Sequence, residues 1–169
     1  SQTRVKAPLM PLGLFRLRNV AAANITMLLL GVAFFSMWYF LSLYLQEVKH
    51  HHALQTGLLF LPMSAAIIAG AQTAGRTLGR LGPRTLLVVG LSLASSGFIW
   101  LTQLTAASSY IGGVLGGTLM ISYGVGLSFA PLASAATTGV HWTQAGLASG
   151  LLNTARQVGG SLGLAILAT

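Results

Sequence analysis

Long runs of apolar residues without a charge alternate with short polar segments along this chain. The uncharged runs cover 20–45, 53–75, 85–110 and 111–140. A helix rises about 1.5 Å per residue, so it needs about 20 apolar residues to cross a hydrocarbon core about 30 Å thick. Each run is long enough for one crossing. The pattern therefore predicts helices embedded in a lipid bilayer.

The polar segments between these runs, among them a basic loop at 76–84, set the ends of the predicted helices. We predict an all-α, polytopic transmembrane bundle, preceded by a cytoplasmic leading segment at 1–19. Its five helices are expected at 20–45, 54–75, 85–103, 111–137 and 144–169. Pro62 lies inside the second helix and should kink it. Because the chain starts at Ser1 and is still apolar at Thr169, we expect the bundle to be incomplete at both ends.

The composition supports a membrane location and argues against a nucleic-acid partner. Hydrophobic residues make up 54% of the chain and charged residues 6%, with a mean hydropathy of +0.77, whereas soluble domains carry about a quarter charged residues. The net charge is +8. The cations form short clusters between apolar runs instead of one sustained basic face, so they are typical of topology signals.

The distribution of Lys and Arg predicts the orientation, because short cytoplasmic loops hold the excess of positive charge. Lys49 lies between the first and second predicted helices. The opposite side of the bundle holds Arg4, Lys6, Arg16, Arg18, Arg76, Arg80 and Arg84. The N-terminus is therefore predicted to be cytoplasmic, in a multi-pass protein of the plasma membrane.

Arg156 is the most informative single residue, because a permanent cation within a membrane helix is costly and by default marks a functional position. It lies about 15 Å along the helix from Gly146. Asn153 precedes it by one helical turn and Gln157 is adjacent. We expect these polar residues to face a cavity. The alternative is a shallower Arg156 that extends to the headgroups and only anchors its helix.

Glycines recur at four-residue spacing in the fourth and fifth helices. Such pairs let helix backbones approach closely in lipid. The pairs are Gly112 with Gly116, Gly113 with Gly117, Gly146 with Gly150 and Gly159 with Gly163. In the fourth helix, Gly124, Gly126 and Pro131 also predict a flexible point.

The chain lacks the residue sets that most catalysis requires. Glu47 is the only acidic residue and there is no cysteine, so paired-carboxylate chemistry and thiolate metal sites are excluded. The histidine run at 50–52 is not expected to bind a metal, because consecutive side chains point apart. His141 with Ser134 or Ser149 lacks a nucleophile motif. We expect no enzyme, no metal and no cofactor.

Several segments together resemble the major facilitator superfamily, in particular its fourteen-helix drug:proton antiporters of the EmrB/QacA type. The first segments are LFRLRN at 14–19, YLQ at 44–46 and GLLFLP at 57–62. The segment at 75–84, GRTLGRLGPR, is similar to the motif G-x-x-x-D-R-x-G-x-R and contributes Gly75, Arg76, Arg80, Gly82 and Arg84. The segment at 146–163 fits GxASGxxNxxRQxGGxxG, with Gly146, Gly150, Asn153, Arg156, Gln157, Gly159 and Gly163. Gly124, Gly126 and Pro131 match GxGxxxxPL.

The resemblance implies helices nine to thirteen of fourteen, within the carboxyl-terminal half of a transporter that exports amphipathic, often cationic compounds in exchange for protons by alternating access. Gly79 stands where the family motif has an acid that is thought to act in gating. No membrane-embedded acid is present, so the protons would be handled by the other half.

Two alternatives remain open from the sequence. The chain could belong to a superfamily transporter of another small solute, such as an amino acid, a sugar or a siderophore, or it could be a non-transporting multispan module. Tyr123 and the aromatic run at 38–44 could hold a flat cation by cation–π contact. Aromatic residues near helix ends are also typical of the membrane–water interface.

Overall fold

The computed structural model describes residues 17–105 and 109–167, and within these ranges the regular structure is helical. The five α-helices are α1 (Arg18–Leu43), α2 (Ala53–Leu59), α3 (Leu61–Leu101), α4 (Gly116–Thr137) and α5 (Ala145–Leu167). A π-helical turn, Tyr44–Val48, extends α1, and another, Tyr110–Leu115, leads into α4. Of the predicted leading segment at 1–19, residues 1–16 lie outside the described residues.

The predicted loop at 76–84 is wrong, because most of it is helical. α3 continues through Arg76 and Arg80 and breaks only at Gly82, where φ is 76° and ψ is 159°. Glycine alone adopts this backbone region readily. Pro83 follows at once, and proline is well tolerated at the start of a helix because the first N–H groups have no intrahelical partner. We call 61–81 the first arm of α3 and 83–101 its second arm.

Three helical stretches among the described residues are long and apolar enough to cross a membrane. They are Arg18–Val48, Ala53–Leu101 and Tyr110–Thr137. The second stretch has 49 residues, about twice the length of one crossing, and the break at Gly82 divides it into two crossings. α5, which carries Arg156, is not among the three.

The predicted kink near Pro62 corresponds to an interruption two residues earlier. α2 ends at Leu59, and Phe60 has φ −84° and ψ −12° before α3 begins. Pro62 lies in the first turn of α3, where the missing N–H costs no helical hydrogen bond. The ring of Phe60 stacks on Trp38 of α1 with 4.6 Å between centroids.

The chain forms two compact units. The first unit contains Ser1–Ser36 and Ala133–Thr169, and the second contains Met37–Leu132. Hydrophobic clusters lie at the two ends of the second unit. Where α1 ends, Leu41, Leu45, Met63 and Val114 pack together. Near the break in α3, the cluster consists of Ala74, Leu86 and Leu127.

Candidate functional site

In the first unit, α1 and α5 pack with their backbones in contact. A β-carbon at Gly31 would collide with the main-chain carbonyl of Arg156, and one at Gly159 would collide with the carbonyl of Leu28. At Gly163 a β-carbon would lie 2.8 Å from the Ser36 Oγ. Close packing through small residues is how helices associate in lipid. The glycines therefore fix the distance between α1 and the Arg156 turn of α5.

Arg156 lies on the face of α5 that packs against α1. Its side chain is half-buried, and its Nε is buried. Asn153 and Gln157 are both exposed. The described residues therefore do not enclose the predicted polar group in one cavity, and its transport role stays a prediction.

A groove of 310 Å³ lies between α1 and α5 in the first unit. Its lining residues are Ala21, Asn24, Ile25, Leu28, Leu151, Thr154, Ala155 and Val158. Asn24 is buried and donates to the carbonyl of Val20 at 2.8 Å. Thr154 donates to the carbonyl of Gly150 at 3.0 Å. The groove is apolar, and its two polar side chains are both hydrogen-bonded to the backbone of their own helix. No sequence pattern indicated Asn24.

In the second unit, glycines bring α4 into contact with both arms of α3. A β-carbon at Gly126 would collide with the carbonyl of Ile67 in the first arm, and one at Gly124 would collide with the carbonyl of Gly90 in the second. The predicted flexible glycines therefore have a packing role. α4 also continues through Pro131, whose side chain is fully buried.

Tyr123 of α4 is half-buried in the second unit. Its hydroxyl donates to the Thr73 Oγ1 of the first arm at 3.1 Å, and Thr73 in turn donates to the carbonyl of Ala69 at 2.8 Å. Because a β-carbon at Gly70 would collide with the Tyr123 carbonyl, no side chain fits between the helices here. Tyr123 therefore connects α4 to the helix that leads to the arginine-rich turn.

The motif-like segment, 75–84, comprises the end of the first arm, the break at Gly82 and the start of the second arm. Arg76, Arg80 and Arg84 are all exposed. No atom lies within 4 Å of a β-carbon built at Gly75 or Gly82. Gly82 is needed for its positive φ, whereas close packing does not explain Gly75.

The four-residue spacing located only some of the packing glycines. Gly146, Gly150 and Gly112 have no atom within 4 Å of a built β-carbon among the described residues, so a packing role for Gly146 and Gly150 stays a prediction. Gly116 makes an ordinary contact with Trp100 at 3.5 Å. The spacing does not indicate Gly31, Gly70, Gly90 and Gly97, because these are isolated glycines in apolar helices and their partners lie on other helices.

Comparison with known proteins decides the family. The sequence profile described as "Major Facilitator Superfamily" matches residues 1–164. The chain belongs to this superfamily. Its members are membrane transporters, so the prediction of an α-helical bundle in a lipid bilayer is confirmed.

Three relatives within the superfamily are similar to nearly the whole chain. The chain is 41% identical over 164 residues to the cephamycin export protein CmcT of Amycolatopsis lactamdurans, covering 96% of this chain and 34% of the relative. It is 34% identical over 171 residues to the puromycin resistance protein pur8 of Streptomyces alboniger, covering 99% of this chain and 34% of the relative. It is 31% identical over 165 residues to a multidrug resistance protein B homolog of Mycobacterium tuberculosis, covering 97% of this chain and 31% of the relative. The chain thus spans about a third of the length of these relatives.

Proposed function

We propose that this chain is part of the carboxyl-terminal half of a multidrug efflux transporter, which exports amphipathic, often cationic compounds in exchange for protons by alternating access. The observation that carries the proposal is similarity along almost the full chain to relatives named for antibiotic export or drug resistance. The close backbone contact between α1 and α5 supports it, because rigid helix pairs suit a bundle that moves as a body.

Proton coupling belongs, in this proposal, to residues outside this chain. Coupling needs a side chain that can take up and release a proton near the ambient pH, and arginine side chains in general stay protonated in proteins. Glu47, the only acid of the chain, lies in the turn that follows α1. We therefore propose that the amino-terminal half supplies the coupling carboxylates and that this chain contributes to the substrate path.

The roles of the polar residues follow from their positions. The half-buried Arg156 would bind an anionic or neutral group during the cycle, either on the substrate or on a partner carboxylate. Asn153 and Gln157, exposed on the same helix, would face the substrate path in the complete bundle. The ring of Tyr123 would bind a flat cation through a cation–π contact.

The orientation is also part of the proposal. The break in α3 carries three exposed arginines, and the opposite end of the second unit carries Lys49 and Glu47. Cytoplasmic loops carry an excess of Lys and Arg. The arginine-rich turn and the start of α1 would therefore face the cytoplasm of a plasma-membrane protein.

A drug-resistance assay in a bacterial strain deleted for its own exporters tests the proposal. The full-length transporter should raise the inhibitory concentration of cationic drugs and antibiotics and should lower ethidium accumulation until a protonophore is added. The Arg156→Gln variant should lose resistance at equal membrane expression. Arg18→Gln, an exposed arginine in the first turn of α1, is the matched control and should keep it. Unchanged drug sensitivity with well-expressed wild-type protein would contradict the proposal.

A further inference from the structure

Three arginines surround the break in α3 without a partner among the described residues. Arg76 and Arg80 lie four residues apart, and so on one face of the first arm, and Arg84 lies in the first turn of the second arm. All three are exposed, and no hydrogen bond or ion pair joins them to another described residue. Neighbouring arginines are four positions apart along the chain, and Ala74 and Leu86 on either side of them belong to one hydrophobic cluster, so the three charges lie at the same end of the unit. We call these three residues the arginine cluster.

The arginine cluster lies where the apolar outer surface of the two arms ends. Ile68 of the first arm and Val88 of the second are more than half exposed, as expected for side chains that face lipid. The helix from Leu61 to Arg76 is about 22 Å long and that from Arg84 to Leu101 about 26 Å. These lengths approach the thickness of the hydrocarbon core. The cluster is therefore at the level of the lipid headgroups.

The chain offers no carboxylate to neutralise the cluster. Glu47 is its only acid, and the turn that contains it continues α1 beyond Leu45, which packs with Met63 at the start of the first arm. Ala74 and Leu86, which flank the cluster, pack together at the opposite end of the unit. Glu47 and the cluster therefore lie at opposite ends, about one membrane thickness apart.

We propose that Arg76, Arg80 and Arg84 form a binding site for the phosphate headgroups of anionic phospholipids. Guanidinium groups bind phosphate oxygens through paired charge-assisted hydrogen bonds, and a basic residue near an anionic membrane surface contributes about 1 kcal/mol. Leu81, between Arg80 and Gly82, is 53% exposed and places an apolar side chain beside the charged ones. This combination matches the boundary between headgroups and acyl chains.

The test measures phosphatidylglycerol binding to the purified full-length transporter by intact-protein mass spectrometry in detergent, with phosphatidylcholine as the uncharged reference. At about 1 kcal/mol per arginine, Arg80→Gln should weaken phosphatidylglycerol binding about fivefold, and the triple glutamine variant about a hundredfold. Lys49→Gln removes one cation at the other end of the unit and is the charge-matched control. It should change the affinity less than twofold.

A second variant adds a charge instead of removing one. Gly79 is helical, and no atom lies within 4 Å of a β-carbon built there, so Gly79→Asp fits without a clash. Its carboxylate would lie one turn after Arg76 and next to Arg80. It should weaken phosphatidylglycerol binding about fivefold and leave phosphatidylcholine binding unchanged.

The result that would overturn the proposal is an unchanged phosphatidylglycerol affinity in the triple variant, whether or not that variant is less stable. Such a result would assign the arginines to carboxylates elsewhere in the protein. Equal effects of Arg80→Gln and Lys49→Gln would also overturn it. If the triple variant is not recovered, the three single variants decide the question by the same criterion. The readout is lipid binding, so it is independent of whether the transporter exports drugs.

Discussion

Gly31 of α1 lies against the main-chain carbonyl of Arg156 in α5, so closely that a single methyl group at position 31 would collide with it. Gly159 repeats this arrangement one turn later against the carbonyl of Leu28. Arg156 is thus held on a helix whose distance from its neighbour is set by glycines. This relationship makes the position of Arg156 testable from the opposite helix.

Gly31→Ala should separate α1 from α5 and destabilise the transporter by about 1–3 kcal/mol, the usual cost of overpacking. Drug export should fall with it, because the guanidinium would move with its helix. Gly79→Ala is the matched control, since Gly79 is helical with no atom within 4 Å of a β-carbon placed there, and alanine raises helix propensity by up to about 1 kcal/mol. Thermal unfolding of the two purified variants makes the comparison. Equal unfolding temperatures would show that the contact does not constrain the helices.

Gly82→Ala should destabilise the turn of α3. Its backbone, at φ 76° and ψ 159°, lies in a region that costs other residues about 1–3 kcal/mol. Gly79→Ala, three residues earlier in regular helix and with open space around it, should instead stabilise by about 0.5–1 kcal/mol. Unfolding measurements on both variants should therefore differ in sign. A loss of stability at both positions would mean that the turn does not depend on the conformation of Gly82.

Tyr123 and Thr73 should be weakly coupled. Interhelical hydrogen bonds in membranes average about 0.6 kcal/mol in double-mutant cycles, and the 3.1 Å bond between these hydroxyls is of that kind. A cycle of Tyr123→Phe and Thr73→Val measured by unfolding should give a coupling of that size. A coupling near zero would contradict the bond.

Tyr123 also allows its two proposed roles to be separated. Tyr123→Phe keeps an aromatic face and should retain the export of flat cations, whereas Tyr123→Leu removes the π system and should lose it selectively over neutral drugs. Ethidium efflux compared with efflux of a neutral substrate measures this difference. Equal losses for both substrates would reduce Tyr123 to a packing residue.

Helix existence and membrane character were predictable from the sequence, because long uncharged runs have few alternatives to a spanning helix. The predicted ends of the first and fourth helices lie close to those of Arg18–Val48 and Tyr110–Thr137. The segment 76–84 was predicted as a loop because its arginines end the apolar run. Charge does not prevent a helix from continuing, so α3 breaks only at Gly82.

Contacts between helices were much less predictable. Spacing along one helix indicated Gly159 and Gly163, but Gly31, Gly70 and Gly90 are defined by neighbours that are distant in sequence. The exposure of Asn153 and Gln157 likewise depends on which helices surround α5. A sequence pattern identifies the polar residues of a membrane helix, whereas the fold decides which of them are covered.

The most direct test of the account is a flux measurement on the full-length transporter in proteoliposomes with an imposed pH gradient. We predict that the gradient drives accumulation of a cationic drug, that a protonophore abolishes it, and that Arg156→Gln reduces the initial rate at least tenfold while Arg18→Gln does not. Drug movement that ignores the pH gradient, or equal rates for the two arginine variants, would contradict the assignment of this chain to a proton-coupled exporter that depends on Arg156.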